Sequence, residues 1–122
     1  MNGPGGVRTE GARKLTKKVL AWSTSEEEAP TLEEADTALA LLTTYGKEFR
    51  DTVTTAYRQL PAGSAVAERV QATLGEASRR LDHPLPERTR KAVVGRAQNI
   101  ARLLEALLRA AATTEHEDMD RP

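Results

Sequence analysis

The chain has no cysteine, four aromatic residues among 122, and no apolar run near the ~20 residues that span a bilayer. Without cysteine there is no disulfide framework, no thiolate zinc site and no cysteine nucleophile. With one Trp, two Tyr and one Phe, the core has to be built from Leu, Val and Ala, and a set of stacking aromatics for nucleic acid is missing. Met1 to Gly6 is rich in Gly and Pro but lacks the apolar stretch of a signal peptide, so a cytoplasmic protein with no membrane association is expected.

Catalytic parts are equally scarce. No Gly-rich phosphate loop, GxSxG elbow or HExxH helix occurs. Of the two histidines, His83 lies in a proline-bounded loop and His116 in a polar tail. Glu115-His116-Glu117-Asp118 carries metal-ligating residue types, but a tail supplies neither fixed geometry nor outer partners for the ligands. The expectation is therefore no catalytic residue, no metal site and no cofactor.

What the chain does have is a register. Leu32, Ala35, Leu39, Leu42, Gly46, Phe49, Val53, Ala56 and Leu60 follow at alternating steps of three and four, and Val93, Ala97, Ile100, Leu104, Leu107 and Ala111 nearly repeat the pattern. Such steps return a side chain to one helix face, so each series marks a helix with a long buried seam. Boundary signals complete four helices over about 10–22, 32–60, 65–81 and 86–112. Thr31 caps the second with Glu34 three residues on, Ser64 caps the third after the Pro61-Ala62-Gly63 turn, and Pro86 suits the first turn of the fourth. Residues 1–9 read as a flexible N-terminal tail, 10–112 as a single helical domain and 113–122 as a disordered acidic tail. Short connections make neighbours antiparallel, which predicts an all-α, up-and-down four-helix bundle with the long second and fourth helices as its spine.

Two surfaces remain as candidates for recognition. On the fourth helix Val94, Ala101 and Leu108 form a second stripe at steps of seven, widening the apolar arc to about 180°. Either that helix is central and touches both neighbours, or the stripe meets a protein partner or a second copy, helped by Leu41 and Tyr45 on the second helix. The rival is nucleic acid. Net charge is zero but segregated, and Arg13, Lys14, Lys17 and Lys18 make a compact basic face on the first helix, with Lys91, Arg102 and Arg109 together with Gln98 a sparser one on the fourth. This is the weaker alternative, because the pI is near 6.8 and no helix-turn-helix pattern is clear.

Gly75-Glu76-Ala77-Ser78-Arg79-Arg80-Leu81, followed by Ala97-Gln98-Asn99-Ile100-Ala101-Arg102-Leu103-Leu104, forms a paired signature. It resembles an actinobacterial family of small helical proteins of unknown function, commonly labelled natural product biosynthesis proteins. The resemblance extends over roughly residues 12 to 111 and takes in Val19-Leu20-Ala21 and Thr31-Leu32-Glu33-Glu34. Lys47 stands where members often carry His, and Leu107, Leu108 and Arg109 where Cys or His is frequent. The label implies association with biosynthetic gene sets and no defined reaction. Read physically, the signature positions Gly75, Glu76, Arg79, Arg80, Gln98 and Arg102 are structural: Glu76 is spaced to pair with Arg79 or Arg80 on one helix face. Gly75 marks either a close backbone approach or tolerance at a surface position. The expected function is a non-catalytic protein-protein interaction or accessory module.

Overall fold

The computed structural model describes the backbone of residues 4–22, 29–85 and 87–119, and side chains within 8–114 of that range. Four helices follow in order: α1 (Pro4–Leu20), α2 (Leu32–Tyr57), α3 (Ala65–Asp82) and α4 (Arg90–Met119). Three start on a hydroxyl that accepts from the backbone two or three residues into the helix, satisfying a donor with no helical partner. Thr31 Oγ1 accepts from Glu34 N at 3.1 Å, Ser64 Oγ from Ala67 N at 3.0 Å and Thr89 Oγ1 from Ala92 N at 3.2 Å. Between α2 and α3 the chain tightens: Gln59 N and Leu60 N each donate three residues back, and Gly63 turns at φ 79, a conformation that favours glycine.

α1 and α2 stop short of residues 22 and 60, at Leu20 and Tyr57, and helix ends depart further from expectation in three other places. α1 begins at Pro4, inside the segment read as a flexible tail; proline is suited to a helix's first position, where its missing N–H costs nothing. α4 begins at Arg90, not at Pro86, because Thr89 supplies the cap; Pro86 itself lies outside the described residues. At its far end α4 continues to Met119, through much of the stretch read as disordered. No Gly or Pro occurs from Ala110 to Met119, and Thr114 is buried at 4% exposure. The side chains of Glu115 to Asp118 are outside the described residues, as are Ser23 to Glu28 of the α1–α2 connection.

The architecture is an all-α four-helix bundle whose spine is α2 and α4. Ala35 of α2 clusters with Val93 and Val94 of α4, and Asp36 pairs with Arg88 just before α4, so the two N-termini lie together and the helices run parallel. α1 and α3 run antiparallel to this pair. Each touches both α2 and α4, while among the described residues they do not touch each other. Leu42, Ile100, Leu104, Leu107 and Val53 are at or below 2% exposure, each contributing roughly 1.5–3 kcal/mol by leaving water.

Two glycines set how closely the outer helices approach α2. A Cβ on Gly46 would sit 2.8 Å from Leu81 Cδ2 of α3, and one on Gly11 of α1 would sit 2.7 Å from Tyr45 Oη. Gly75, by contrast, faces open space, which settles its two readings in favour of surface tolerance.

Candidate binding groove at the α3–α4 turn

α4 presents two flanking lines, and each carries one polar residue that fastens an outer helix. Val94, Gln98, Ala101 and Leu108 share one register. In it Gln98 Nε2 donates to Val19 O and Trp22 O, both at 3.3 Å, at the C-terminal end of α1. Arg96, Leu103 and Ala110 share the opposite register. From there Arg96 Nη1 donates to Arg80 O at 3.1 Å and Nη2 to His83 O at 2.6 Å, at the end of α3. Carbonyls at a helix end lack the usual i+4 donor, although Val19 O also accepts from Trp22 N at 3.2 Å, and beside α3 the cation of Arg96 opposes the negative end of the helix dipole.

This geometry overturns the second stripe as an exposed surface. Val94 is 9% exposed, Ala101 0% and Leu108 7%. Being in register with Gln98, these residues face the side of α4 that α1 covers, and α4 is in contact with all three other helices. The wide apolar arc is the mark of a central helix. Tyr45 is likewise half-buried, packed on the core above Gly11. Of the five candidate interaction residues only Leu41 stays exposed, at 47%.

The signature residues do what local spacing predicts. Arg80 Nε donates to Glu76 Oε1 at 2.7 Å, and Arg79 pairs with the other oxygen of the same carboxylate. The hydrogen bonds from Arg79 and then Arg80, followed by the charge of Arg79, hold the Glu76 carboxyl below the ordinary carboxylate range. Arg102 is exposed on the outer stripe of α4, apart from this network. Arg13, Lys14, Lys17 and Lys18 are all exposed on α1. Lys14 lies 3.7 Å from Glu10, and the other three have no ion-pair partner among the described residues.

Where α2, the end of α3, the α3–α4 connection and α4 converge, a half-open groove of about 320 Å³ remains. Its apolar lining comes from Leu39, Leu81, Leu85 and Ile100. Around these stand Arg80, Arg88, Arg96 and His83, with Asp36 as the one carboxylate. Each arginine is held from within the fold: Arg80 by Glu76, Arg88 by Asp36, Arg96 by the two α3 carbonyls. A second, more open depression of about 570 Å³ shares His83, Leu85 and Arg96 and adds Lys91, Glu87 and Asn99. The Oδ1 of Asn99 is buried there without a hydrogen bond. Among the described residues no group of three or more His, Asp or Glu is placed to hold a metal ion.

Reading the sequence missed this site. Arg88 and Asp36 are 52 residues apart, a pairing that periodicity does not encode. Arg96 did leave a trace, as a single charge seven residues before Leu103 on an otherwise apolar line. A cation on such a line calls for an acceptor, which the end of α3 provides.

Fold and groove together define a small helical-bundle protein with an arginine-rimmed surface site. The model of a family of unknown function, DUF6415, matches residues 10–116, and the chain belongs to that family. No curated protein and no solved structure matches the chain. No helix among the described residues is long and apolar enough to cross a membrane.

Proposed function

We propose that the protein is a non-catalytic accessory module of the cytoplasm that works by binding another protein. The resemblance of its signature to proteins labelled for natural product biosynthesis supports placing the partner among biosynthetic enzymes of an actinobacterium. The observation that carries this reading is the division of labour among polar side chains. Gln98 is spent on α1's end, and Arg96, Arg80 and Arg88 hold the walls of a groove whose apolar lining is still open to a partner. Burial of Val94, Ala101 and Leu108 argues against the α4 stripe as the docking surface, and the open apolar lining of the groove supports assigning that role to the groove instead. Affinity capture from native lysate with wild type and Arg88→Glu, with and without nuclease, tests it. A nuclease-resistant partner supports the module, and loss of every partner on nuclease treatment rejects it.

The second reading, a nucleic-acid-binding regulator, is favoured by the exposure of Arg13, Lys14, Lys17 and Lys18 along one helix. Phosphate contacts by these residues predict affinity that falls steeply between about 50 and 200 mM salt; a flat response excludes it.

A further inference from the structure

We infer that the groove receives an acidic, leucine-bearing segment of the partner protein, an inference that rests on the interaction-module reading. Charge complementarity selects the occupant. In the groove Arg80 and Arg88 are each matched by a carboxylate, Glu76 and Asp36, whereas the charge of Arg96 is met only by neutral carbonyls, so one positive charge is left uncancelled. Each guanidinium has five N–H donors and its bonds within the fold use only part of them, leaving donors for an incoming carboxylate. The same internal bonds pre-orient the arginines, which lowers the ordering cost of binding. Leu39 and Leu85 line the same groove, where an apolar side chain beside the acid would seat. The second depression continues the surface past Leu85 and Arg96 to Lys91, so the site is elongated and open, the form that suits an extended segment more than a compact metabolite.

The probe is a fluorescein-labelled, end-capped twelve-residue peptide of alternating glutamate and leucine, titrated by anisotropy. It is compared with versions carrying glutamine for glutamate or serine for leucine, and with a labelled twelve-nucleotide single strand. The glutamate–leucine peptide is expected to bind about tenfold tighter than either altered version and than the oligonucleotide. Arg88→Glu, a change at an exposed loop position whose fold is checked by circular dichroism, is expected to weaken it about tenfold, and Lys91→Glu to weaken it less. Arg102→Glu, outside the groove, is expected to leave affinity within about twofold. No binding at about 1 mM, equal binding of the altered peptides, preference for the oligonucleotide, or an unchanged affinity in Arg88→Glu overturns the inference. If lysate capture still yields a nuclease-resistant partner with Arg88→Glu, the module reading stands and only the groove assignment fails.

Discussion

α1 and α3 lie on opposite sides of the same α2–α4 pair and are fastened by matching kinds of contact. Each has a glycine-mediated approach with α2, an ion pair to α2 (Arg8–Glu48 for α1, Arg50–Asp82 for α3) and an α4 side chain on its terminal carbonyls. The difference is in charge. α3 is held by a cation at distances down to 2.6 Å, and the turn that follows it shapes the groove. α1 is held by a neutral amide at 3.3 Å and buries Thr16, whose Oγ1 has no hydrogen-bond partner. Fastening at the same level thus produces one flank that builds a site and one that does not, while each side keeps one buried polar atom without a partner, Thr16 Oγ1 and Asn99 Oδ1.

The largest effect that could break this comparison is on the α1 side. Leu108→Glu puts a carboxylate where exposure is 7%, and a cost of at least about 3 kcal/mol is expected, seen as unfolding in a denaturant titration. A folded Leu108→Glu protein that merely loses self-association would restore the stripe as a surface. Next, Arg96→Ala should cost about 2 kcal/mol and Gln98→Ala about 1 kcal/mol, since hydrogen bonds to a charged group are worth more than neutral ones; chemical denaturation of both, side by side, checks the order. Thr16→Val removes an unpaired buried hydroxyl at nearly constant shape and should stabilise by about 1 kcal/mol, raising the melting temperature.

The smallest effect belongs to Glu76. Its carboxyl is lowered in the folded chain, so its contribution is fully present above the ordinary value of about 4.5 and is lost as pH falls through the lowered folded value. Glu76→Gln should therefore be slightly less stable than wild type at pH 7 and converge with it in acid; stability curves at the two pH values measure the difference.

Local patterns in the sequence were enough to read the four helices, the α2–α4 spine and the Glu76 pairings, because they repeat within one or two helical turns. The width of α4's apolar arc was legible too, but its meaning was not: an arc tells how much of a helix is buried, not whether a neighbour or a partner covers it. The burial of Val94, Ala101 and Leu108 within the folded chain decides that, and the carbonyl acceptors of Gln98 show that α1 is the neighbour on that side. The start of α4 was misplaced because Pro86 is a stronger written signal than Thr89, although Thr89 makes the capping bond. The groove was invisible because it is assembled from α2, α3 and α4 residues whose partners are distant in the chain, such as Arg88 with Asp36.

Native-state hydrogen exchange on wild type and Arg96→Ala tests most directly the claim that each flank of α4 holds its own outer helix. The expected result is faster exchange in the last turn of α3 and the connection after it, with the end of α1 protected as in wild type. Equal loss of protection at both helix ends, or loss at α1 alone, would contradict it.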